Sequence, residues 1–162
     1  MATPLAASGA RLSALWARLA PLPGGKRLFS WLLGWMVPYT GTIRPRVVEL
    51  RPGYAKIQMR DRRGVRNHLR SIHAIALANL AEVSSGLAVL TGLPPTARGI
   101  PTALAITFLK KARGTLTAEA HCHPPDASRD ADHEFPSVIS DASGQVVARA
   151  TVHWHIGPVP AR

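Results

Sequence analysis

The sequence predicts an α+β domain in which an antiparallel sheet wraps around one long central helix, with an N-terminal helical extension. Three observations carry this expectation. Residues 72–90, IHAIALANLAEVSSGLAVL, are rich in Ala and Leu and carry one charge, Glu82, so this helix is expected to be buried on most sides. Two strand-like segments precede it and four follow, separated by turn residues. The first 40 residues instead have helical spacing. At 162 residues, with 46% hydrophobic and 18% charged residues, the chain suits one domain with an appended segment. Two catalytic domains and a wholly disordered chain are excluded.

In chain order, helices are expected at about 10–20 and 25–36, broken by Pro21-Leu22-Pro23-Gly24-Gly25. Leu28, Trp31, Leu32 and Trp35 form an apolar stripe on the second. That stripe either packs on its own domain or docks on a membrane surface or partner. The run LFSWLLGWMV at 28–37 has ten residues and ends at Pro38, too short for a span and wrongly flanked for a secretory signal. Strands are then expected at 42–50 and from Tyr54 to Met59 across the Pro52-Gly53 turn. An Arg-rich loop at 61–71 leads to the central helix, with Ser71 as its expected N-cap. After the TGLPP turn, strands at 101–111, 114–123, 134–141 and 145–156 are expected to form a meander, with 124–133 as a loop. The domain boundary is placed between an extension at 1–40 and a domain at 41–158.

The net charge of +11 is unevenly distributed. Residues 1–42 hold four basic and no acidic residues, 43–70 nine and two, and 71–162 seven of each. The first 70 residues therefore favour an anionic partner: nucleic acid, an anionic membrane, or a phosphate-bearing small molecule. Few aromatics interleave with the basic stretch 44–70 and no DNA-binding motif appears, which disfavours nucleic acid. A single cysteine, Cys122, excludes an intrachain disulfide framework and a Cys-rich zinc module, leaving a reducing, cytoplasmic setting as the default.

Asn67, His73 and Glu82 stand six and nine residues apart, the last within the apolar helix, and ITFLKKARG follows at 106–114. In these spacings and this order of elements, from about Gly41 to Ile156, the sequence resembles the hotdog-fold acyl-CoA thioesterase superfamily, in particular the small phenylacetate-pathway type and its uncharacterised relatives. Two departures stand out: Ala74 and Ile75 occupy positions where Gly-Gly is usual, and Arg70 one where Gly is common.

The resemblance implies catalytic roles for Glu82, Asn67 and His73. A lone carboxylate on an apolar helix is costly to bury unpaired, so Glu82 either faces a polar cavity or interface as a base or nucleophile, or pairs with an arginine. Asn67 either orients water or the thioester carbonyl or orders its own loop. His73 is read as a positioning residue more than as the base. The helix start supplies backbone N–H groups, so the amides of Ala74 and Ile75 are the expected oxyanion hole. Arg66, Arg70, Arg98, Lys110, Lys111 and Arg113 are the expected basic rim for the phosphates of coenzyme A, or else solvated surface charges. Ile75, Leu77, Leu80, Val83 and Leu87, with Leu104, Ile106 and Phe108, line an acyl tunnel or form plain core.

The resemblance further implies a homodimer or dimer of dimers, with the site between subunits and strand 101–111 pairing with its copy. The expected activity is hydrolysis of an acyl-CoA thioester, with coenzyme A as part of the substrate and no cofactor. The alternatives are a non-catalytic acyl or acyl-CoA binder, and a basic protein binding nucleic acid or a membrane surface, with peripheral membrane contact through 25–36. The pairs His121/His123 and His153/His155 each share a strand face, but the family arrangement puts another strand between them, so no metal site is expected.

Overall fold

The computed structural model describes residues 8–123 and 125–160; the first seven positions of the expected extension and Pro124 of the expected loop lie outside them. The elements are α1 (Ser8–Leu19), α2 (Gly25–Met36), a one-turn α3 (Pro38–Gly41), β1 (Arg46–Arg51), β2 (Tyr54–Met59), α4 (Ala74–Gly92), β3 (Ala97–Phe108), β4 (Leu116–His121), β5 (Ala131–Ser140) and β6 (Val146–Pro158). The β1–β2 and β5–β6 turns use Gly53 and Gly144 at φ 74° and 83°, a left-handed conformation that a Cβ disfavours.

The six strands form one antiparallel sheet in the order β1-β2-β4-β5-β6-β3. The expected meander is therefore corrected. β4, β5 and β6 are consecutive, but β3 crosses to the far edge and pairs with β6 from Ala97↔Pro158 to Phe108↔Ala148. Pro101 suits an edge, since proline cannot donate to a second ladder, and the register shifts between Pro101 and Ala103. One row of facing residues, Val47, Ile57, Ala118, Ile139 and Ala148, runs across the sheet and is wholly buried.

The sheet curls around α4, 13 of whose 19 residues are buried. Being apolar on every side, that helix needs cover on every side. The strands cover most of it, and α1 lies along its C-terminal part, Gly9 packing on the Leu90 backbone where a Cβ would not fit. By length and composition α4 could cross a bilayer, but most of it is buried within the fold.

The β1 edge is closed by α2. Phe29 and Leu33 of α2 enter the core, Val47 N–H donates to Ser30 Oγ at 2.9 Å, and Lys26 Nζ donates to the Val48 carbonyl at 2.8 Å. Side chains of α2 thus occupy backbone groups that would otherwise invite another strand. The packed face is Gly25, Phe29, Ser30 and Leu33. The stripe picked out by the sequence points away from the domain: Trp31 and Trp35 are 65% and 72% exposed.

Candidate active site

The start of α4 is built by its entering loop. His73, in extended conformation, is the N-cap, and its ring Nδ1 accepts the Ile75 N–H at 3.1 Å. This corrects Ser71, whose hydroxyl instead donates to Asn67 Oδ1. The His73 carbonyl accepts the N–H groups of Ala76 and Leu77. Of the first-turn donors, only Ala74 N–H lacks an acceptor among the described residues. The Ile75 amide is thus committed to the His73 ring in this structure, which leaves Ala74 as the donor free for an oxyanion. Neither residue has positive φ, so the replaced Gly-Gly pair is not needed here for backbone conformation. Arg70, where Gly is common, does adopt φ 54°.

Asn67 orders the loop with one end of its side chain. Its Oδ1 accepts Leu69 N–H, Ser71 N–H and Ser71 Oγ at 3.0–3.2 Å. Its amide NH2 has no acceptor among the described residues. Asn67 lines a cleft of about 270 Å³ together with Ala74, Leu77, Phe108, Lys110 and Lys111. A second cleft, of about 200 Å³, flanks the other side of the helix start, lined by Arg66, His73, Ile75 and Asn79 among others. The fold therefore places Asn67 and Ala74 on one cleft and His73 on the other.

Glu82 lies elsewhere on the same helix. In the first three turns of α4 the residues left accessible are Ala74, Ile75, Ala78 and Glu82, a seam along one side, and beyond them only Leu90 and Gly92 at the C-terminal end are not buried. Eight residues separate Ala74 from Glu82, about 12 Å at the helical rise. Within one chain the carboxylate cannot reach a group held at the free amide. Glu82 makes no hydrogen bond or ion pair among the described residues, its Oε1 lying beside the Gly86 turn near the Trp154 ring. Burial alone raises its pKa above the ordinary 4.5.

The expected basic rim divides. Arg66 is held by Asp61 at 2.6 Å and Lys110 by Asp141 at 2.7 Å. Asp61 also accepts Gly114 N–H, so it fastens two loops; a single acid in the arginine-rich stretch was its only mark in the sequence. Arg98 pairs with Asp130 at the opposite end of β3 from Phe108, roughly 30 Å from its own chain's cleft at the rise of a strand. Arg70, Lys111 and Arg113 are exposed and form no ion pair among the described residues. Of the expected tunnel residues, Leu80, Val83 and Leu87 are core, whereas Leu77 and Phe108 line the cleft. Leu109, next to Phe108 in the chain, lines it too. His153 and His155 pair with Glu134 and Asp132, and among the described residues no group of three or more His, Cys, Asp or Glu is disposed to hold a metal.

Known structures share this architecture. A structural-genomics protein designated APC5556 is 30% identical, with a TM-score of 0.80 over 94% of this chain and 99% of that one. A Pseudomonas aeruginosa protein, PA5026, described as of unknown function and a "Probable Thioesterase", is 24% identical with a TM-score of 0.70 over 85% and 97%. A thioesterase family protein from Silicibacter pomeroyi is 16% identical with a TM-score of 0.68 over 80% and 96%. No functionally curated protein matches the chain. Residues 25–156 match the family described as Domain of unknown function (DUF4442), a match that begins at α2 and runs through nearly all of β6. The chain is a hotdog-fold protein and belongs to the DUF4442 family.

Proposed function

We propose that this chain hydrolyses an acyl-CoA thioester as a homodimer or dimer of dimers, each site drawing on two copies. The observation that carries the reading is Glu82, a carboxylate with no partner among the described residues, on the accessible seam of a mostly buried helix. Burying a charge without a partner costs stability, so a solvated surface role does not account for it. A second copy supplies what one chain lacks, since its Glu82 can approach the Ala74 amide that the first chain's own carboxylate cannot reach.

In this reading the thioester carbonyl sits in the cleft of Asn67 and Ala74. Asn67 NH2 orients the carbonyl, and Ala74 N–H at the positive end of α4 stabilises the oxyanion. Glu82 of the partner takes a proton from water as its oxygen bonds to the carbonyl carbon. The carbon–sulfur bond then breaks, the thiolate leaves and takes up a proton, and the free acid remains. The apolar wall of Leu77, Phe108 and Leu109 suits an acyl chain, and Lys111, Arg70 and Arg113 suit phosphates. Copies pair along β3, whose outer edge carries exposed Ile100, Leu104 and Phe108.

The test is thiol release from a panel of acyl-CoA esters by the wild type and Glu82→Gln. Loss of roughly 10²–10⁴-fold in turnover is expected for removal of the base; hydrolysis unchanged by the substitution refutes the role. One observation favours a second reading, a non-catalytic acyl-CoA binder: the His73 ring occupies the Ile75 amide, leaving a single backbone donor. Retention of acyl-CoA with no turnover of any ester in the panel would establish it.

A further inference from the structure

A third concavity, larger than the two at the start of α4, lies away from them. It has a volume of about 970 Å³, between the outer face of α2 and the segment entering β1, walled by Trp31, Trp35, Arg27, Arg44, Arg46 and Arg60. None of the four arginines forms an ion pair among the described residues, and no acidic residue precedes Glu49 in the sequence. On the same face of α2, one turn before Trp31 and two before Trp35, Leu28 is 47% exposed. The surface is held firmly in place, because the opposite face of α2 is in the core and tied to β1 through Lys26 and Ser30. It also adjoins the β1 edge, at the other side of the sheet from β3.

From this juxtaposition of unpaired arginines and exposed indoles on a rigid helix, we propose that the outer face of α2 docks on an anionic phospholipid bilayer. Tryptophan favours the interfacial zone, the aliphatic Leu28 gains by entering the acyl boundary, and the arginines meet lipid phosphates. Charge decides against a second copy, since self-association of this face would set four arginines against four. A nucleic acid strand would use the indoles and arginines but would leave Leu28 in water. The proposal does not depend on thioester hydrolysis.

The test is flotation of the full chain with vesicles of phosphatidylcholine alone and of phosphatidylcholine mixed with phosphatidylglycerol. Binding is expected to the mixed vesicles only and to weaken as salt rises. Arg27→Gln and Arg46→Gln should each lower the partition coefficient about fivefold. Trp31→Ala with Trp35→Ala should abolish binding and the blue shift of tryptophan emission that accompanies it. Both indoles are exposed, so the thermal midpoint of this double variant should match the wild type. Binding to neither vesicle, or equally to both, overturns the proposal. So does binding to a single-stranded oligonucleotide without binding to vesicles, or a change of oligomeric state in the tryptophan variant with no vesicle binding by the wild type.

Discussion

Replacing Glu82 by Gln should make the protein more stable while disabling it. The carboxylate is half sunk in an apolar helix with no partner among the described residues, and burial raises its pKa above 4.5. Below pH 4.5 both the folded and unfolded chains hold the proton and the carboxyl costs little. As pH rises, the unfolded chain releases its proton first, so the folded state loses stability until the raised folded pKa is passed, and the penalty is then complete. Glutamine has nearly the same shape and carries no such penalty. Relief of this kind is on the order of 1 kcal/mol, and in a domain of this size it raises Tm by roughly 2–4 °C. Calorimetry of both proteins, in acid and at neutral pH, should show a gap that opens as pH rises. A Gln variant less stable than the wild type at neutral pH would mean that the carboxylate is held by a structural partner, and the reasoning would fail.

If Glu82 is the base, kcat/KM should rise with pH through a limb set above pH 4.5, and the pH–rate profile of the Gln variant should lose that limb. Ser84 and Ser137 are fully buried, their hydroxyls 2.8 Å apart; Ser137→Ala should cost about 1–2 kcal/mol in denaturant unfolding. The double Ala variant should then cost less than the sum of the singles by about 0.5–1 kcal/mol. Arg70→Gly should relieve the left-handed backbone at φ 54° and stabilise the chain by about 0.5 kcal/mol net of added chain entropy. A lower thermal midpoint would contradict that reading.

The parts of the fold set by local rules could be read from the sequence. The central helix was legible because an Ala/Leu run needs no context, and the β1–β2 hairpin because Pro52-Gly53 dictates the turn. The place of β3 was not, since an apolar strand of this composition fits a centre or an edge, and only pairing with β6 decides. On α2, Phe29 and Leu33 compete with Leu28, Trp31 and Trp35 for the inner face. Both faces are apolar, and the groups that chose between them, the Val47 amide and Val48 carbonyl, belong to β1. Ser71 is the better cap by residue type, but its hydroxyl is taken by Asn67, a contact across the loop that spacing does not show, and the His73 ring caps the helix instead. The spacing of Asn67, His73 and Glu82 located the candidate residues but not their separation: nine residues of rigid helix keep Glu82 from its own helix start.

The assignment of each site to two copies is tested most directly by subunit complementation. Glu82→Gln and Asn67→Ala, each inactive alone as a homodimer, would be mixed and allowed to exchange subunits, and thiol release from an acyl-CoA ester followed. Random pairing makes half of the dimers mixed, each with one unaltered site, so about a quarter of wild-type activity should return. Activity that stays at the level of the separate variants after exchange would place both residues' work within one chain and contradict the account.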